Sequence, residues 1–165
     1  MRFTTAQRFA SPVDAVAAAY ADPGLYPTLS GLTKLGQPEV LGHEEGDGRV
    51  TLRIRYRFGG ELSSAARAVL DPARLTWIEV SEHDLAARTT TFRMLPDHYA
   101  DRFTCTGRYR FLPADDGGCT RAGEGDLRVR APLVGGAVER AIVSGLHEHL
   151  AEEAPLVDRY VSGEA

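Results

Sequence analysis

The stretch PLVGGAVERAIVSGLHEHLAEEAPLVDRY, residues 132–160, decides the fold. Val134, Val138, Ala141, Ile142, Gly145, Leu146, His149, Leu150, Glu153, Leu156, Val157 and Tyr160 recur at intervals of three and four, which is one stripe of a long amphipathic helix. About 29 residues at about 1.5 Å each span roughly 43 Å, enough to cross a whole sheet. Pro155 removes an amide and predicts a kink or restart near Ala151 to Ala154. Gly135, Gly136 and Gly145 each cost a helix interior up to about 1 kcal/mol. Close approach to another backbone, or looseness of the helix, would explain them, and both suit a helix lying over a cavity.

Ahead of this helix the period is two. Val50, Leu52, Ile54, Tyr56 and Phe58 share one parity, and Arg49, Thr51, Arg53, Arg55 and Arg57 the other. Phe103, Cys105, Gly107, Tyr109 and Phe111 likewise alternate with Thr104, Thr106, Arg108 and Arg110. Phe3, Thr5, Gln7 and Phe9 share one face of an opening strand, Arg2 to Ala10. Further strands are expected at Leu75 to His83, Arg88 to Leu95, Arg102 to Leu112 and Arg121 to Ala131. One-sided alternation of this kind belongs to an antiparallel sheet with one covered face. Glu45-Gly46-Asp47-Gly48 and Asp115-Asp116-Gly117-Gly118 read as hairpin turns. Between the first strand and the sheet, Ser11-Pro12-Val13-Asp14 opens a short helix with Ser11 as its cap, and Asp22-Pro23 opens a second, ending at Gly31. Ser63 to Val69 fits either a helical turn or a strand edge.

At 165 residues the chain has the length of one domain, residues 1–165, with enough core to need no disulfide or metal. No run approaches a membrane span, and the alternating start lacks the apolar core of a secretory signal, which predicts a cytoplasmic protein without integral membrane association. The net charge of −4 argues against nucleic acid as a partner. Cys105 and Cys119 match neither a paired framework nor a metal or redox motif, and read as a core residue and a turn residue.

Four stretches, MRFTTAQRF, DPARLTWIEVSEHDLAARTTTF, LPDHYADRFTCTGRYRF and EGDLRVRAPLVGGAVERAIVSGLHEHLAEEA, span nearly the whole chain. On them the chain resembles the START/polyketide-cyclase-like (SRPBCC, helix-grip) superfamily, and within it an actinobacterial family of unknown function. The resemblance implies an α+β fold: a curved seven-stranded antiparallel sheet wrapped around a long C-terminal helix, with two short helices after the first strand and an internal cavity. It also implies a small hydrophobic or amphipathic ligand, such as a lipid, sterol, quinone or polyketide-like molecule. No functional residues carry over from it.

The wall of that cavity is expected from Leu52, Ile54, Tyr56, Trp77, Glu79, Phe92, Cys105, Tyr109, Val138, Ile142, Leu146 and His149. Trp77, Glu79, Ser81 and His83 share one strand face and Ile78 and Val80 the other; the segment alone leaves open which face looks inward, with Leu75 favouring that of Trp77. His149 and Glu153, one helical turn apart, are neighbours able to orient a ligand or to act as acid and base, unless the helix turns them to the rim. With Glu79 and His83 they are the catalytic candidates if the protein is an enzyme, a cofactor-independent cyclase or dehydratase. His147 points elsewhere, and no metal spacing is present. His98 and Tyr99 are either a gate at the mouth or ordinary turn residues. The arginines of three strands form either a solvated outer face or a basic interaction surface. No nucleophile triad or phosphate loop appears, so a binder without a cofactor, monomeric or homodimeric, is the leading expectation.

Overall fold

The computed structural model describes residues 1–62, 64–68 and 70–164. Strand β1 (Arg2–Phe9) leads into helix α1 (Val13–Ala21) and a 3-10 turn at Tyr26–Thr28. Strands β2 (Glu39–Gly46) and β3 (Arg49–Arg57) form a hairpin, followed by the short helix α2 (Ser64–Arg67) and a second 3-10 turn at Pro72–Arg74. Strands β4 (Thr76–Asp84), β5 (Thr89–Pro96), β6 (Phe103–Pro113) and β7 (Cys119–Val129) complete the sheet, and helix α3 (Gly135–Ser162) closes the chain. The sheet is antiparallel throughout, in the order β1-β7-β6-β5-β4-β3-β2. Of the segment left ambiguous above, Ser63 and Val69 lie outside the described residues.

Side-chain parity sets the two faces of the sheet. Leu52, Ile54 and Tyr56 on β3 are buried, as are Cys105, Tyr109 and Phe111 on β6. Arg53, Arg57, Arg108 and Arg110 are exposed and Arg55 is half-buried. Much of this outer face is neutralised: Arg108 pairs with Glu124, Arg128 with Asp126 at 3.2 Å, and Arg55 with Asp97 at 3.7 Å and Glu39 at 3.8 Å. A row of both signs is a solvated face, and exposed pairs of this kind add little stability. The β2–β3 hairpin turns on Asp47 and Gly48, both at positive φ (53° and 73°), the geometry that matches strand twist in a two-residue loop.

Three local expectations change. Pro12, not Ser11, occupies the N-cap of α1, and no side chain caps that helix. Asp158 on α3 takes hydrogen bonds from the amides of Ala10 and Ser11, each at 3.0 Å, and so anchors the residues before the helix without capping its first turn. Of the kink or restart expected at Pro155, the restart does not occur: α3 runs unbroken across it. Ala151, whose carbonyl loses its partner to the proline, is exposed and can be hydrated. Cys119 is the first residue of β7, fully buried in the core, and no mere turn residue.

Burial pushes the Asp158 carboxyl up, but the hydrogen bonds from Ser11 and Ala10 outweigh it and hold it below its ordinary range. Replacing Asp158 with Ala is therefore expected to cost about 1–2 kcal/mol, the scale of a lost charged acceptor. The difference should shrink as pH falls through the carboxylate range, where the wild type is protonated. Urea denaturation of both proteins across pH checks this.

Candidate functional site

Two apolar clusters fill the space between sheet and helices. One gathers Phe9, Val16, Tyr20, Leu25, Leu52, Ile54, Phe111 and Val157 around α1 and the end of α3. The other gathers Phe3, Phe92, Cys105, Tyr109, Leu127, Val129 and Val138 toward the start of α3. Arg121 bridges them. Its guanidinium lies 3.8 Å from the ring centroid of Tyr20 in the first cluster and 3.6 Å from that of Tyr109 in the second. This places a buried cation between two aromatic faces.

The strand geometry that admits Arg121 is glycine-dependent. Inward positions of β7 run Arg121, Gly123, Gly125, Leu127 and Val129, and the two glycines sit opposite Thr5 and Phe3 of β1. A Cβ at Gly123 would lie 2.7 Å from Tyr109, and one at Gly125 2.5 Å from Phe3. The rings therefore fold down over the glycines, a packing only a residue without a side chain permits.

Around Arg121 the interior is polar. Its Nη1 donates to Gln7 Oε1 at 3.3 Å and stands 3.7 Å from Glu153 Oε1. The Tyr20 hydroxyl donates to the same Glu153 oxygen, and Gln7 Nε2 donates to it at 3.3 Å and to the Leu150 carbonyl at 2.7 Å. His149 Nε2 lies 3.2 Å from Glu153 Oε2. Burial pushes the Glu153 carboxyl up, but the hydrogen bond and charge of His149, the Arg121 charge and the Tyr20 hydroxyl together hold it at about 2. Glu153 is thus an anion at neutral pH. His149 Nδ1, Arg121 Nε and Thr5 Oγ1 are buried without a partner among the described residues.

On the strands opposite, β3–β4 pairing settles the face left open by sequence: Tyr56 pairs with Trp77, Ile54 with Glu79 and Leu52 with Ser81. Tyr56 and Trp77 stack with centroids 5.9 Å apart and planes 22° apart. His83 is buried and held at both ring nitrogens, by Ser81 at 3.0 Å and Thr90 at 3.0 Å. Burial, reinforced by Arg121, lowers its pKa to about 4, so it is a neutral structural residue at physiological pH. Glu79 differs from these neighbours. No hydrogen bond supports its carboxyl among the described residues, and burial raises its pKa to about 7 against the pull of Arg121. It retains partial surface on the inward parity of β4, the side of Trp77 and Ser81.

Helix α3 lies closest to β1, β7 and α1, away from β3, β4 and β5. Trp77, Glu79 and Met94 on the strands and Ile142 and Leu146 on the helix are only half-buried. Gly145 sits at the edge of the buried stripe: at about 100° per residue it projects within about 40° of the buried Val138 and His149 on one side and of the exposed Ala141 on the other. Yet a Cβ at Gly145 would meet no described atom within 4 Å. Two surface hollows lie elsewhere, one of about 630 Å³ on the outer sheet face around Arg93 and Arg108, the other of about 650 Å³ beside Pro132 and Leu133. Neither touches Glu79, His149 or Glu153.

The structure therefore brings His149 and Glu153 together in the interior, with Glu79 and His83 on the facing strands. Leu52, Ile54, Tyr56, Phe92, Cys105, Tyr109 and Val138 are buried on the inward side. His147 is exposed. His98 and Tyr99 join the neighbouring loop, where Asp71 donates its amide to the Tyr99 hydroxyl at 3.1 Å and Arg74 stacks on the Tyr99 ring at 5.3 Å. Arg121, Gln7 and Tyr20 were not among the expected site residues. Counting back by twos from Leu127 would have placed Arg121 inward.

Among the described residues no helix is long and apolar enough to cross a membrane, and no group of metal-ligating side chains comes together. Solved structures share the architecture. TTHA0849 from Thermus thermophilus aligns with a TM-score of 0.68 at 18% identity, covering 100% of this chain and 99% of that one. The Zhui aromatase/cyclase from Streptomyces sp. R1128 aligns at 0.63 and 18%, covering 98% and 95%. Norcoclaurine synthase from Thalictrum flavum aligns at 0.65 and 19%, covering 98% and 86%. At these identities the likeness establishes the fold, the helix-grip arrangement of curved sheet and long helix, and leaves chemistry to the site. No curated protein matches the sequence. Residues 4–161 match the family described as a protein of unknown function (DUF2505), and the chain belongs to that family.

Proposed function

We propose that this protein binds a small hydrophobic or amphipathic molecule between the sheet and α3, without a cofactor. The observation that carries the reading is Gly145, a helix position at the edge of the buried stripe with open space before it. Half-open apolar surface on Trp77, Met94, Ile142 and Leu146 supports it, as does the mixture of apolar wall and few polar groups usual for small-molecule sites. Replacing Gly145 with Leu is expected to fill the space. The variant should be as stable as the wild type or more so, since glycine costs a helix up to about 1 kcal/mol, and should lose ligand. Native mass spectrometry of both proteins purified from their own host checks this. A ligand retained equally by both would sink the reading.

A second reading, a cyclase- or dehydratase-like enzyme, rests on Glu79. A carboxyl held at about 7 can take or release a proton at neutral pH. Its test is chemical: a ligand recovered altered from the wild type and intact from the Glu79→Gln variant.

A further inference from the structure

Resting on the ligand-binding reading above, we propose that the interior is built for a ligand carrying an ammonium group, which pairs with Glu79 beside the Tyr56–Trp77 stack. The charges of the interior point this way. Arg121 and His149 face two carboxyls, Glu153 and Glu79, and both stand against the first, at 3.7 and 3.2 Å. Gln7, Tyr20 and His149 also spend their hydrogen bonds on Glu153. Glu79 is left with neither a hydrogen bond nor a close counter-ion among the described residues, and with part of its surface accessible on the inward parity of β4.

The aromatic faces beside Glu79 suit a cation, and Trp77 Nε1, buried without a partner among the described residues, calls for an acceptor on the same ligand. Trp77 precedes it by two residues on the same strand face, about 7 Å away, and Trp77 stacks on Tyr56. Aromatic faces next to a carboxylate attract an organic ammonium by both the ring quadrupole and the ion pair. The apolar side chains of Ile142 and Leu146 across the gap suit the hydrocarbon part of such a molecule. A ligand carboxylate would instead meet the uncompensated Glu79.

The test compares octylamine, octanol and octanoate, which share one skeleton. Binding is read by the fluorescence of Trp77, the only tryptophan, and by calorimetry. Octylamine should bind at least about tenfold more tightly than octanol at pH 8, the scale of a charge-assisted hydrogen bond. Glu79→Gln should erase that preference, bringing octylamine to within about threefold of octanol on the same variant. As pH rises through about 7 the amine affinity of the wild type should climb and then level off, because ionised Glu79 is required. Arg121, Glu153 and His149 also face Glu79, and the same titration on the Gln variant removes their contribution. Octanol or octanoate binding as well as octylamine, or a Gln variant that keeps the amine preference, would overturn the ammonium assignment while leaving interior binding intact. If none of the three binds, or all bind the Gly145→Leu variant unchanged, the ligand-binding reading itself fails.

Discussion

Replacing Arg121 with Met should destabilise the fold by about 3–5 kcal/mol at pH 7. Removing one partner of a buried ion pair strands the other charge, and the cost is of that order. Glu153 would remain buried as an anion with Gln7, Tyr20 and His149 but without its guanidinium. Tyr20 and Tyr109 would lose the cation that joins the two apolar clusters. Met is close to Arg in length, so the loss reports charge and hydrogen bonding more than volume. Adding Glu153→Gln to the same variant should recover part of the loss, because the stranded charge is gone. The two substitutions should therefore be non-additive by about 0.5–3 kcal/mol. Denaturant midpoints for the single and double variants measure this. A single variant within about 1 kcal/mol of wild type would mean that Arg121 is no organiser of the interior.

The acid limb of stability follows from the same pair. The Glu153 carboxyl is held at about 2 in the folded protein, below its ordinary 4.5. Its contribution is present above about 4.5 and is lost as pH falls toward 2. Arg121 is one source of that depression, so its removal should weaken this acid dependence as well as lower the plateau.

The fold was legible because alternation and helical spacing are local. Val138, Ile142, Gly145 and His149 mark one face of α3 by spacing alone, and Leu52, Ile54 and Tyr56 mark one face of β3. The site was legible only in part, because its decisive contacts join distant segments. The inward face of Trp77 and Glu79 is fixed by pairing with Tyr56 and Ile54, a fact about register that the β4 segment does not contain. Ser11 gives its amide to Asp158, 147 residues away, and its side chain does not cap α1, a contact no local pattern shows. Arg121 shows a third limit. Its strand is interrupted by Gly123 and Gly125, which blur the apolar alternation leading back from Leu127, and arginine on a sheet is expected outside. What admits it is a pair of tyrosine rings from α1 and β6, visible only once those elements are in place.

Replacing Glu79 with Gln should stabilise the ligand-free protein by about 2 kcal/mol at pH 8 and leave it unchanged near pH 4. The direction follows from linkage. The folded carboxyl is raised to about 7 from an ordinary 4.5, so the charged form is disfavoured by folding. Below about 4.5 the carboxyl is protonated in both states and folding carries no penalty. Between about 4.5 and 7 the unfolded chain ionises first, and the wild type loses stability relative to the variant; above 7 the difference levels off. The shift sets a ceiling of about 3.4 kcal/mol, and the partial exposure of Glu79 reduces it to about 2. Thermal melts of both proteins from pH 4 to about 8.5 give the curve, and a constant offset across that range would refute the assignment. A carboxyl that weakens its own fold at neutral pH is a group kept for something other than stability. Saturating octylamine should remove the penalty by supplying the missing counter-charge, so the wild type should then lose its decline with pH while the Gln variant stays flat.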